Sequence, residues 1–173
     1  MKTGLTKAIR AAVIAALYVS FCLVFAPISY GPVQVRISEA LTLLAVFSPE
    51  AIIGVTVGCF LSNMIASAPI DMLVGTLATL IAGLCTYRMR HLRVKGLAVI
   101  PSLPPILINA VVIGAELTVL YFPAGSSPAV WLINMASVGA GQVVSCAILG
   151  VLLVFVVERN PALLKAMTRG TQV

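Results

Sequence analysis

The chain has 173 residues, of which 61% are hydrophobic and 9% charged, with a net charge of +6 and a mean hydropathy of +1.13. Soluble domains carry about 25% charged residues, so this deficit excludes a soluble fold and calls for an all-α integral membrane protein built as a single domain. The basic residues sit in short clusters between apolar runs, which is a topology signal and not a nucleic-acid surface.

Six membrane segments are expected over residues 6–157, followed by a cytoplasmic tail over 158–173. The N terminus is basic and leads into an apolar run, as a signal peptide does. Ala11 to Phe25 nevertheless reaches Pro27 with no convincing cleavage site, so Thr6 to Phe25 is read as the first helix. Its first half holds Ala8, Ala12 and Ala16, spaced four apart on one face, with Ala11 and Ala15 beside them; small faces of this kind admit a close helix neighbour. The second helix, Ser38 to Phe47, is too short to cross a bilayer at 1.5 Å per residue. An extended or re-entrant loop is therefore expected before it, and Gly31-Pro32 with the alternation Val33, Val35, Ile37 supplies that pattern. Ser38 is placed to cap this helix, with Glu39 in its first turn.

Ser48-Pro49-Glu50 makes a corner into a third helix, Pro49 to Ala66. The fourth spans Asp71 to Arg88. The fifth occupies Ala98 to Tyr121 and begins either there or only beyond Pro101, Pro104 and Pro105. The sixth runs from Val130 to Val157 with a bend expected around Gly139-Ala140-Gly141. Four cysteines (Cys22, Cys59, Cys85 and Cys146) lie singly in apolar runs without metal-ligand spacing, and His91 stands alone in a basic loop. No metal or cofactor motif is present. Of the eleven Lys and Arg residues, all but Arg36 fall in the N terminus, the Arg88–Lys95 loop or the tail. With six segments these three regions share one side, which the positive-inside rule makes cytoplasmic, both termini included.

That topology sorts the remaining polar groups. Arg36, Glu39, Asn63, Asp71 and Glu116 all fall in the outer half, and Asn109 shares a face of the fifth helix with Glu116. Ionisable groups in a membrane helix are costly and call for a partner or a task. A purely structural account pairs Arg36 with Glu39, uses Asp71 as a helix cap and bonds Glu116 to a neighbouring helix. Three carboxylates outnumber the one arginine, however, and a cationic or donor-rich ligand balances them better.

The stretch from Ser29 to Leu44 (Ser-Tyr-Gly-Pro-Val-Gln-Val-Arg-Ile-Ser-Glu-Ala-Leu-Thr-Leu-Leu) closely resembles the signature of the QueT family. Further matches are Pro49-Glu50-Ala51-Ile52, Gly58 to Asn63, Asp71 with Gly75 to Thr79, Leu103-Pro104-Pro105 with Asn109, and Gly114-Ala115-Glu116. The resemblance covers residues 8 to 157. It implies a bacterial cell-membrane protein, the substrate-binding S component of an energy-coupling factor (ECF) transporter, with a queuosine precursor as cargo. It also implies partners: a transmembrane coupling subunit, docked through the face of Ala8, Ala12 and Ala16, and two cytoplasmic ATPases. A 7-deazaguanine presents N–H and amino donors that carboxylates accept, and an aminomethyl arm adds a cation. Asn63, Asn109 or Gln34 then addresses the carbonyl and Tyr30 stacks on the ring, while the division of labour among the carboxylates stays open.

Two other classes compete. A self-contained secondary transporter is disfavoured by the lack of an evident inverted repeat. An intramembrane enzyme using Glu39 and Glu116 as an acid–base pair lacks a nucleophile–base set or a histidine metal motif. ATP hydrolysis by the chain itself is excluded, because no G-x-x-x-x-G-K-[ST] loop occurs.

Overall fold

The computed structural model describes residues 2–29, 35–121 and 127–168. Within them the chain forms α1 (Lys2–Val24), a short α2 (Ala26–Ser29), a 3-10 helix (Ile37–Val46), α3 (Pro49–Ala66), α4 (Pro69–Arg88) and α5 (Val99–Tyr121). A long last helix follows, divided into α6 (Pro128–Gln142), a π-helical stretch (Val143–Gly150) and α7 (Val151–Arg159), and then α8 (Pro161–Thr168). Among the described residues, five helices are long and apolar enough to cross a membrane, and the 3-10 helix is a shorter apolar one. Large apolar side chains such as Val13, Leu17, Val57, Leu77, Leu107 and Leu152 line the outside of the bundle, the surface that lipid covers. This is a multi-pass membrane protein.

Consecutive long helices pack side by side, α1 on α3, α3 on α4, α4 on α5 and α5 on α6. The 3-10 helix lies inside that ring and touches α1, α3, α4, α5, the π stretch and α7. Its residues are buried from Ser38 to Val46. A helix buried all round belongs to the centre of a bundle, and this one is the hub.

The 3-10 geometry replaces the α-helix expected over Ser38 to Phe47 and starts one residue earlier. Rising about 2.0 Å per residue, ten residues span about 20 Å, still short of a bilayer. Ser38 is not its cap: the N-cap position is Arg36, which makes no side-chain capping bond. The Ser38 hydroxyl lies 3.0 Å from Cys22 Sγ on α1 instead. Arg36 is extended, with φ −83° and ψ 94°, as the β-branched alternation suggests; the rest of the expected loop, including Tyr30 and Gln34, lies outside the described residues.

Of the two starts weighed for α5 the earlier one holds: the helix begins at Val99 and runs through Pro101, Pro104 and Pro105. Pro101 lies in the first turn, where amides lack a helical acceptor anyway. Pro105 leaves the Pro101 carbonyl without its usual donor, and the Thr86 hydroxyl of α4 supplies one at 3.0 Å. In the last helix the departure from α geometry falls at Val143–Gly150, just beyond the glycines, and it packs against the 3-10 helix.

The tail is more ordered than a polar tail suggests. Asn160 Oδ1 accepts from the backbone amides of Ala162 and Leu163, and Pro161 opens α8, a capping arrangement with a clear sequence signature. Leu164 and Met167 pack on the core. Buried Arg10 of α1 fastens this end of the bundle, donating to Glu50 Oε2 at 3.2 Å and to the Ala166 carbonyl at 3.0 Å. Lys7 meets Glu50 at 3.1 Å, and Arg93 meets Glu158 at 2.9 Å. The N terminus, the α4–α5 loop and the tail thus gather at one end.

α1 carries two small faces. Ala11 and Ala15 turn inward with Tyr18, and α3 comes so close that a Cβ at Gly58 would stand 2.6 Å from Tyr18 Cβ. Ala8, Ala12 and Ala16 remain exposed on the outside.

Candidate functional site

The polar site begins with the winding of the 3-10 helix. At three residues per turn, positions three apart eclipse, so Glu39 and Thr42 share one edge with the cap residue Arg36. The Thr42 hydroxyl accordingly donates to Glu39 Oε2 at 3.1 Å. From α1, the Tyr18 hydroxyl donates to Glu39 Oε1 in a short hydrogen bond. Glu39 is 1% exposed, and a carboxylate so deep needs these donors. Each oxygen keeps a further lone pair.

Arg36 does not pair with Glu39. Its Nη2 reaches Asp71 Oδ2, at the start of α4, at 2.8 Å, and both side chains are buried. The Ser67 hydroxyl donates to the same Asp71 oxygen. Asn63, from the last turns of α3, donates to the Asp71 carbonyl at 3.1 Å. Asp71 is therefore an ion-pair partner and not merely a cap. The approach depends on Gly75, where a Cβ would lie 2.7 Å from Asp71 Oδ1 and 2.9 Å from Asn63 Nδ2.

Between these groups lies a cavity lined by Arg36, Glu39, Gly75, Thr79, Asn109, Ile113, Val138 and Gln142. Its volume is about 10 Å³, room for about one water. The Cys146 thiol donates to Gln142 Oε1 at 3.3 Å, and the Thr79 hydroxyl to Cys59 Sγ at 3.3 Å. Asn109 is 3% exposed, and its amide Nδ2 has no hydrogen-bond partner among the described residues. Glu116, 7% exposed, likewise has both oxygens unpartnered, so the bond to a neighbouring helix considered for it is not made. Among the described residues no group of three His, Cys, Asp or Glu side chains is placed to hold a metal ion.

Of the residues singled out in the sequence, Arg36, Glu39 and Asn109 line the cavity, and Asn63 and Asp71 buttress it through Arg36 and Gly75. Glu116 follows Ile113 by one turn on the stripe that lines it. Ala8, Ala12 and Ala16 lie elsewhere, on the outer face of α1. Tyr18, Thr42, Thr79 and Gln142 join the site without having been assigned to it. Gln142 was detectable as an amide in an apolar helix, whereas Tyr18 and the threonines look like ordinary core residues.

The family model for the QueT transporter matches residues 8–159. The chain belongs to the QueT transporter family. A queuosine precursor transporter QueT from Lactococcus lactis subsp. cremoris (strain MG1363) is 44% identical over 72 residues, which is 40% of this chain and 43% of that relative. No solved structure matches the chain. This member of the QueT transporter family has a buried polar cavity inside a bundle of apolar helices, with the carboxylate of Glu39 on the 3-10 helix in its wall.

Proposed function

We propose that this chain is the membrane-embedded binding subunit that captures a queuosine precursor, a 7-deazaguanine, for ATP-driven uptake by an ECF-type transporter. The observation that carries this reading is Glu39: a fully buried carboxylate on the cavity wall, oriented by Tyr18 and Thr42, with an acceptor position left on each oxygen. Paired acceptors suit the N1–H and 2-amino donors along a guanine-like edge, as acidic side chains suit base amino groups elsewhere. Asn109 and Gln142 supply amides for the carbonyl. At about 10 Å³ the cavity is too small for a bicyclic base, so its entry requires the lining helices to part.

The 3-10 helix serves as the second of six membrane segments, and both termini face the cytoplasm with the basic clusters. The cavity then opens outward. The exposed alanine face of α1 lies in its cytoplasmic half, where a coupling subunit docks, and the ATPases supply the energy that this chain has no loop to harvest. The relative's name supports the cargo and the family signature supports the class.

The test is a titration of the purified protein with 7-deazaguanine and with adenine, joined to copurification from its host. A binding subunit of this kind prefers the guanine-type ligand by at least about a hundredfold, because adenine leaves the buried carboxylate unpaired. It also brings ATPases with it. Equal affinity for the two ligands overturns the edge-reading site, and uptake by the isolated chain in vesicles without ATPases overturns the ECF role.

A further inference from the structure

Glu116 differs from the other carboxylates near the cavity. Glu39 accepts from Tyr18 and Thr42, and Asp71 accepts from Arg36 and Ser67. Glu116 is equally buried, yet neither oxygen has a hydrogen-bond partner among the described residues. It lies on α5, one turn beyond Ile113 of the cavity wall. An unpaired carboxylate in a membrane interior is costly to keep, and good packing alone does not compensate for it.

A second open group shares its face. Asn109, Ile113 and Glu116 follow at intervals of four and three residues, one stripe of α5. The first two line the cavity, and Asn109 Nδ2 is an unpartnered donor. The stripe therefore offers an amide N–H at the cavity and an acceptor-only group farther out, separated by about 10 Å along the helix axis. A ligand that meets both must bring an acceptor to Asn109 and donors to Glu116.

We propose that Glu116 is the specificity-determining residue for a protonated primary amine on the ligand, with Asn109 donating to an acceptor on the ring. The assignment rests on the deazaguanine reading above and refines it: the chain takes the amine-bearing deazaguanine over a neutral one. Two unpartnered carboxylate oxygens offer about four lone-pair positions, which match the three donors of an ammonium group in number and in charge. A neutral substituent leaves Glu116 buried and unpaired.

Titration of the purified, full-length protein with 7-aminomethyl-7-deazaguanine and 7-cyano-7-deazaguanine tests this. Wild type binds the amine more tightly by about tenfold to a hundredfold. In Glu116→Gln that preference shrinks to about twofold or less while the affinity for the cyano compound is kept, which also shows that the variant folds. Glu116→Asp, which keeps the charge, retains a preference for the amine. Equal binding of both compounds by wild type, an intact preference in Glu116→Gln, or parallel loss of both compounds in that variant overturns the assignment. Failure of wild type to bind either compound overturns the deazaguanine reading itself, and the assignment with it.

Discussion

Glu39 is held from two sides, by a tyrosine on a neighbouring helix and by a threonine one 3-10 turn further along. Glu39→Gln keeps the shape but removes the charge and one acceptor, so affinity for a 7-deazaguanine is expected to fall by several fold to about a hundredfold, on the scale of 1–3 kcal/mol. Unchanged affinity in the folded variant returns Glu39 to a structural role. The Arg36–Asp71 pair behaves differently. Removing one member leaves the other charged and buried, a loss of about 3–5 kcal/mol, whereas removing both costs less than the sum. Thermal unfolding of Arg36→Met, Asp71→Asn and the double variant in detergent checks this, and strict additivity would show that the two do not interact. The candidate residues were legible because charge is rare in this chain and each instance invites a question. Their partners were not. Arg36 is three residues from Glu39 and thirty-five from Asp71, and only the fold shows that Tyr18 and Thr42 already occupy Glu39 while Gly75 clears a place for Asp71.

At the scale of elements, hydropathy located the helices to within a few residues, since each long span is a single apolar run. It did not reveal the winding of two of them. The 3-10 and π stretches pack against each other around Glu39, whose carbonyl accepts from the Cys146 thiol at 3.6 Å. Such departures come from tertiary contacts, and local propensity carries no record of them. The three prolines of α5 left its start open for the same reason: Thr86, on another helix, rescues the carbonyl that Pro105 leaves bare. α1 shows the opposite case. Its five alanines divide into an inward pair packed on α3 and an outward row, Ala8, Ala12 and Ala16, that nothing among the described residues covers. If the outward row seats a coupling subunit, Ala12→Leu with Ala16→Leu abolishes uptake in cells and leaves ligand affinity of the purified protein unchanged. Normal uptake by that double variant removes the row from the coupling surface.

For the whole molecule, the ion pairs among the described residues collect in two places. Arg10, Lys7, Glu50, Arg93 and Glu158 tie the ends of α1, α3, α7 and α8 and the α4–α5 loop together, and Arg36, Asp71, Asn63 and Ser67 close the other end. Single cysteines introduced at Lys95 and Lys165 in an otherwise cysteine-free protein are expected to react with an impermeant thiol reagent only after the membrane is opened, and one at Ser67 in intact cells. The reverse pattern inverts the proposed orientation. The 3-10 helix joins the two places, and its winding makes it a gauge of fixed length. Were its ten residues to relax into an α-helix, it would shorten by about 5 Å and turn one end against the other by about 200°. Arg36 at its head is bonded to Asp71, and the corner after its foot leads into Glu50, bonded to Lys7 and Arg10. Both ends are tied to the walls of the bundle, so rewinding this hub would break the Arg36–Asp71 pair or the pairs of Glu50 with Lys7 and Arg10.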